Sequence, residues 1–146
     1  MHIATCGTED IPQWVTLRCA LWPDEDKTVM AQEAPAILAD PDRVVLVAKN
    51  GAALAGFAES SLRRDYVNGC ATSPVAFVEG LYVVPERRRH GVARALIAAI
   101  ESWARRRGLR ELASDALLDN NASHAMHEAL GFTETERVVY FRKALT

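Results

Sequence analysis

Long apolar runs are missing from this 146-residue chain: no segment approaches the ~18 consecutive apolar residues that a membrane-spanning helix requires. Cysteine is scarce as well. Cys6, Cys19 and Cys70 are odd in number and form no C-x-x-C pair, which argues against a disulfide framework or a metal site and points to a reducing compartment. The opening residues, MHIATCGTEDIPQW, carry acids and a proline where a signal peptide would carry an apolar stretch, so a cytoplasmic protein is expected. Excess charge is absent too: a net charge of −2 builds no general attraction for nucleic acid or an anionic membrane. Repeats, linkers and low-complexity tracts are lacking, which leaves a single domain over residues 1–146, long enough to bury a core without staples.

What the chain does have is charge of uneven placement. Residues 1–42 carry eight acids against Arg18 and Lys27, whereas residues 87–110 carry eight arginines against Glu101 alone. One part of the molecule therefore suits a cation and another an anion. The acidic stretch Asp24, Glu25, Asp26 either adds to a field that draws in a polycation or is a solvated loop.

Periodicity organises the rest. HIATC reads as a short strand, and EDIPQWVTLRCALW as a helix with Trp14, Val15, Leu17 and Leu21 at helical spacing. EAPAILAD is a second short helix. Two apolar runs around Asn50-Gly51 predict a β-hairpin, and RDYVNGCATSP is a loop. VAFVEGLYVV is a strand interrupted by Gly80, which suggests a bulge or a close backbone approach. In the strongest helix, Val92, Ala95, Leu96, Ala99, Ile100 and Trp103 form one stripe, with arginines in the last turn and Gly108 as a stop. RELASDAL predicts a strand ending near Asp115, NNASHAMHEALG a helix, and ERVVYFRKAL a closing strand. The pattern is α/β (α+β), with a largely antiparallel front half and at least one strand–helix–strand crossover.

Arg88-Arg89-His90-Gly91 stands between an extended run and the start of that strongest helix. Unpaired backbone N–H groups and the positive dipole end make such a place suited to phosphate, with arginine adding charge-assisted contacts. A solvated basic turn and a nucleic-acid patch are the other readings. The last would want interleaved aromatics and a basic domain, and neither is present.

Arg88, Arg89, His90, Gly91, Val92 and Ala93 also resemble the [Q/R]-x-x-G-x-[G/A] signature of the GNAT superfamily of N-acetyltransferases, in which this turn binds the pyrophosphate of acetyl-CoA. The preceding strand, the following helix and Asn120 ahead of EALGF share the resemblance. LWP, RDYVNGC, SPVAFVEGLYV, ASD and GFTETERVVYFRK are similar to one branch, the aminoglycoside 6'-N-acetyltransferases. The resemblance implies the GNAT fold, a mixed and largely antiparallel sheet flanked by helices. It also implies acetyl transfer from acetyl-CoA to the 6'-amine of an aminoglycoside, and a homodimer. Another amine substrate, such as a polyamine or a protein N-terminus, and a non-catalytic acyl-CoA-binding module are the alternatives.

Acetyl transfer to an amine needs a base, because an aliphatic amine is mostly protonated at neutral pH. Asp115, at a strand end, is either that base or a helix cap; it matches the branch's active-site aspartate. Glu79, within an apolar strand, is either outward-facing or buried at a cost; in the branch a glutamate here holds substrate amines. Trp22 and Tyr66 read by themselves as a core residue and a loop aromatic, and match substrate-contacting positions of the branch. The resemblance assigns oxyanion contacts to the backbone N–H groups of Leu81, Tyr82 and Val83. It places Asn120 on the pantetheine or phosphate arm, where an N-cap role is physically as good. His127 stands where many members carry a tyrosine proposed to protonate the leaving thiolate; a helical histidine is also commonly structural. Cys70 is a conceivable nucleophile without a neighbouring base in sequence, so direct transfer in a ternary complex is expected.

Overall fold

The computed structural model describes residues 1–146. These divide into two compact units, Met1–Ser114 and Asp115–Thr146.

In the first unit, β1 (His2–Thr5) is followed by α1 (Ile11–Leu21), α2 (Lys27–Ala39), β2 (Arg43–Asn50), β3 (Ala53–Arg63), β4 (Val75–Val83), α3 (Val92–Arg106) and β5 (Leu112–Ala113). The strands form one sheet in the order β1-β2-β3-β4-β5. The first three pairings are antiparallel; β5 lies parallel to β4, and α3 is the crossover between them. The expected mixed, largely antiparallel sheet is therefore present.

Local chemistry explains most boundaries. Asn50 pairs with Ala53, so the two-residue hairpin turn is Gly51-Ala52, one position later than the Asn-Gly signal suggests, with Gly51 at φ 63°. Helix α2 begins well before EAPAILAD because Asp26 caps it, accepting from the N–H groups of Thr28 at 2.8 Å and Val29 at 3.2 Å. Part of the acidic stretch is thus committed to a helix start.

Both sheet faces are covered. Trp14, Val15 and Leu17 of α1 and Met30, Ala34 and Ile37 of α2 pack with Val45, Val47, Leu54 and Phe57. Leu46 and Ala48, alternating with those valines, are buried on the opposite face, and α3 packs against β2, β3 and β4. Fully burying side chains such as Trp14, Phe57, Leu96 and Ile100 contributes about 1.5–3 kcal/mol each. The buried stripe of α3 is Val92, Leu96, Ile97, Ile100 and Ala104, whereas Ala95 is exposed. The larger Ile97 takes the core position in place of an alanine because it removes more apolar surface from water.

In the second unit, α4 (Asn121–Ala129) starts where expected, capped by the Asn120 side chain, which accepts from Ser123 N–H at 3.1 Å. Gly131, at φ 91°, ends it. The expected closing strand is not formed: residues 132–146 have no regular structure, and Val139, Tyr140, Phe141 and Leu145 are 74–92% exposed. A strand exists only with a partner for its backbone groups, however strong the β propensity of its residues. Strand β5 is likewise shorter than RELASDAL predicts, so Asp115 lies two residues past its end.

Candidate active site

The β3–β4 register shifts near the middle of the sheet. Glu59 pairs with Gly80 and Ser60 with Val78, which leaves Glu79 as the extra residue of a β-bulge. The sequence signal at Gly80 was therefore one residue away from the bulged position. Gly80 has its own reason to lack a side chain: a Cβ there would stand 2.6 Å from the ring of Trp22. Trp22 thus lies on the backbone beside Glu79, so the structure brings together two of the expected substrate residues.

Glu79 is held from β3. Ser61 Oγ donates to Oε1 at 2.5 Å; Arg63 Nε donates to Oε1 at 3.0 Å, and Arg63 Nη2 lies 2.9 Å from both Oε1 and Oε2. The Arg63 guanidinium also lies 3.5 Å from the Phe77 ring centroid. Ser61 and Arg63 escaped sequence reading. Their positions two and four residues after Glu59 place all three on one face of β3, which is the only signal that could have found them.

Behind Trp22 lies a buried charge cluster, also missed. Glu59 is 1% exposed and accepts from Arg18 Nε at 2.8 Å, Trp14 Nε1 at 3.3 Å and Arg43 Nη2 at 3.4 Å. Arg18 stacks between the rings of Trp14 and Trp22, 5.2 and 5.1 Å from their centroids. Burial pushes the Glu59 carboxyl above its ordinary value, and Arg18, Arg43 and Trp14 pull it back in part. The readable hint was an acid at i+2 from Phe57, directly after the apolar run Ala53–Ala58, and an arginine four residues after Trp14 on a helix face.

Strand β5 meets β4 only at Ala76 and Phe77. From Val78 to Val83, the β4 edge turned away from β3 carries no strand. Leu81, Tyr82 and Val83 are in this stretch, but strand N–H groups alternate in direction. Val84 N–H donates to Ala55 O on β3 at 2.9 Å, so Tyr82 N–H faces β3 as well. Only Leu81 and Val83 turn theirs to the open edge, where an oxyanion donor needs to be. The chain then turns through a 3₁₀ segment, Pro85–Arg87, into α3. Arg88 folds back, donating from Nε to Val83 O at 2.8 Å, and its guanidinium lies 5.4 Å from the Tyr82 ring. It braces the turn against β4. Arg89 at φ 63° and Gly91 at φ 81° both adopt left-handed backbone conformations, a geometry that gathers successive N–H groups toward one point. A Cβ on Gly91 would meet nothing within 4 Å, so the glycine is required by its dihedral angles. Arg89 and His90 are exposed beside the helix start, while Val92 is buried and Ala93 half-buried, so these last two offer backbone only.

Tyr66 is 70% exposed on the loop over residues 64–74. That loop is tied at both ends. Ser73 Oγ donates to Arg64 O at 2.8 Å, and Glu111 accepts from the N–H groups of Ala71 at 2.9 Å and Thr72 at 2.6 Å. Hydrogen bonds from Arg64 and then Arg107 hold the Asp42 carboxyl below the usual carboxylate range. Burial, and then Glu111, push the Cys70 thiol up, which disfavours the thiolate a covalent mechanism would need. Cys6 is pushed up to about 12, chiefly by burial.

In the second unit Asp115 is exposed, and Asn120 spends its Oδ1 on the cap of α4. His127 Nδ1 lies 2.7 Å from Ser123 O and the ring packs edge-on to Phe132, with centroids 5.1 Å apart. A carbonyl only accepts, so Nδ1 carries the proton; Nε2 then donates only in the imidazolium form. No group of three or more His, Cys, Asp or Glu is placed to hold a metal ion, and no helix is long and apolar enough to cross a membrane.

A mixed sheet whose fourth strand is bulged and open along one edge, leading through a left-handed turn into a long helix, is an architecture for holding a phosphate-bearing acyl donor beside a strand. The chain belongs to the acetyltransferase (GNAT) family, whose model matches residues 9–132. It is 48% identical over 144 residues to an aminoglycoside N(6')-acetyltransferase type 1 of Acinetobacter baumannii, covering 98% of both chains. The crystal structure of apo aminoglycoside antibiotic 6'-N-acetyltransferase AAC(6')-IG from Acinetobacter haemolyticus superposes with a TM-score of 0.94 at 44% identity, covering all of both chains. AAC(6')-Iy, in complex with the bisubstrate analogue CoA-S-monomethyl-acetylneamine, superposes with a TM-score of 0.93 at 40% identity over 98% of this chain and 97% of that one.

Proposed function

We propose that this protein transfers the acetyl group of acetyl-CoA to the 6'-amine of aminoglycoside antibiotics, and so confers resistance, by direct transfer with both substrates bound. The observation that carries the reading is an identity of 48% over 98% of this chain with a relative named for that activity; a match of that extent includes loops that the fold alone does not dictate.

Each residue then has a role. Arg88, Arg89, His90, Gly91, Val92 and Ala93 form the pyrophosphate cradle, through backbone N–H groups, the α3 dipole and the exposed guanidinium of Arg89. Backbone N–H groups of Leu81 and Val83, on the open edge of β4, stabilise the negative charge that develops on the thioester oxygen, with Tyr82 between them bonded toward β3. Glu79, Trp22 and Tyr66 hold the cationic sugar. Asp115 binds the reacting ammonium and takes its proton, directly or through water. Asn120 keeps its amide NH₂ for the cofactor arm while its oxygen caps α4. His127, as imidazolium, is the donor to the leaving thiolate if one is used. Residues 1–146 act as one domain, consistent with a family match that runs through residue 132.

The test is thiol release from acetyl-CoA with two aminoglycosides that differ only in a 6'-amine or a 6'-hydroxyl. Turnover with the amine alone, and intersecting initial-velocity lines when both substrates are varied, are the expected results. Equal rates would remove the regiochemistry, and parallel lines would restore a covalent acetyl-enzyme.

A homodimer belongs to the same reading. Val139, Tyr140, Phe141 and Leu145 are exposed apolar residues of the C-terminal segment, interrupted by Arg142 and Lys143, and a monomer would leave them in water. Sedimentation equilibrium at micromolar concentration is expected to give twice the 16.0 kDa chain mass; a single-chain mass would refute this. Three free thiols fit a cytoplasmic location.

A further inference from the structure

Glu79 Oε1 is fully taken by its neighbours, and its remaining lone-pair site is on Oε2, beside Arg63 Nη2. Its two oxygens offer about four lone-pair sites in all. Ser61 Oγ, Arg63 Nε and Arg63 Nη2 contact Oε1, and Arg63 Nη2 also contacts Oε2. A ligand ammonium that reaches Glu79 therefore meets a carboxylate whose charge Arg63 already neutralises, and gains a full ion pair only by moving the guanidinium aside. Arg63 is suited to being displaced. Its side chain is 42% exposed against 25% for Glu79, so it covers the carboxylate from the solvent side. Ion pairs this open are screened and contribute little net stability, so exchanging one cation for another is nearly balanced. The guanidinium also has a second attachment, over the Phe77 ring at 3.5 Å, that does not depend on the carboxylate. Ser61 keeps its bond to Oε1 during the exchange and fixes the carboxylate's orientation.

We propose that Arg63 is a specificity-determining residue, an internal cation that occupies Glu79 in the free enzyme and gives it up to amine substrates according to their charge. A polycation, drawn by several carboxylates at once, competes with Arg63 effectively. An amine of low charge does not, and Arg63 thereby biases the enzyme against small cellular amines. The inference rests on the reading of Glu79 as a holder of substrate amines.

The experiment compares KM values for a three-amine and a five-amine aminoglycoside in the parent, Arg63→Met, Arg63→Lys and Glu79→Gln proteins. Arg63→Met keeps an apolar stem over Phe77 and removes the charge. KM for the aminoglycosides is expected to fall by about two- to fivefold, more for the three-amine substrate, with KM for acetyl-CoA as the unchanged internal reference. Arg63→Lys, which keeps the charge, is expected to stay near the parent, and in Arg63→Met/Glu79→Gln the arginine substitution no longer lowers KM. If Glu79→Gln raises KM but Arg63→Met leaves it unchanged or raises it, the inference fails and the reading of Glu79 stands. If Glu79→Gln leaves KM unchanged, that reading fails and the inference falls with it. Thermal melts of each variant separate these outcomes from misfolding.

Discussion

Asp115→Asn is expected to lower kcat for a 6'-amino aminoglycoside by about 10²–10⁴-fold at neutral pH, the range that a positioned general base supplies. The amine arrives mostly protonated, and its lone pair cannot attack until the proton leaves. Asparagine is nearly isosteric and still accepts a hydrogen bond from the ammonium, but it does not take the proton. Asp115 is exposed, two residues beyond β5, and surface substitutions of this kind stay within about 0.5 kcal/mol of the parent in stability. A large loss of rate therefore reports chemistry. Two further measurements sharpen it. Acetyl-CoA affinity by calorimetry is expected to be unchanged, and raising the pH, which supplies more free amine, should recover part of the lost rate. A kcat within threefold of the parent at neutral pH would remove Asp115 from the mechanism.

The largest effect on stability is expected from Glu59→Ala. Arg18 is 8% exposed and Glu59 1%, and the cluster already leaves Arg18 Nη1 and Arg43 Nε buried without hydrogen-bond partners. Removing the carboxylate strands the guanidinium of Arg18 between Trp14 and Trp22 with no counter-charge. Breaking a buried pair in this way costs about 3–5 kcal/mol, which in a domain of this size lowers Tm by roughly 10 °C or more. Calorimetry or thermal circular dichroism reads it directly. The double replacement Arg18→Met/Glu59→Leu separates two meanings of that loss. Apolar side chains of similar volume are expected to bring stability back near the parent value, because the ion pair's net contribution is small once both desolvation penalties are gone. A double variant as unstable as Glu59→Ala would instead mean that the cluster's hydrogen bonds and stacking hold α1 on the sheet. Since Arg18 stacks on Trp22 and Trp22 lies on Gly80, the same variants probe how firmly the wall beside Glu79 is held.

What the sequence determined by itself is the set of features whose physics is local. The start of α4 at Asn120, its end at Gly131, the run of α3 up to Gly108, and a turn at or beside Gly51 each depend on a few adjacent residues. Capping and left-handed turns are satisfied within one turn of chain. The turn ahead of α3 was legible for the same reason, as a glycine between a strand and a strong amphipathic helix, whereas the left-handed backbone at Arg89 and Gly91 was seen only in the structure. Tertiary structure decided everything that joins distant residues. Glu79 became the bulged residue only when β3 and β4 took their register, and its partners Ser61 and Arg63 stand 18 and 16 positions away. Arg18 and Glu59 are separated by 41. No local preference encodes such pairings, because they arise when sheet register and helix packing place side chains on a shared face. The C-terminal residues make the converse point. Their composition favours a strand as strongly as that of β2, yet residues 132–146 form none, because a strand is a property of two segments and its hydrogen bonds need a neighbour.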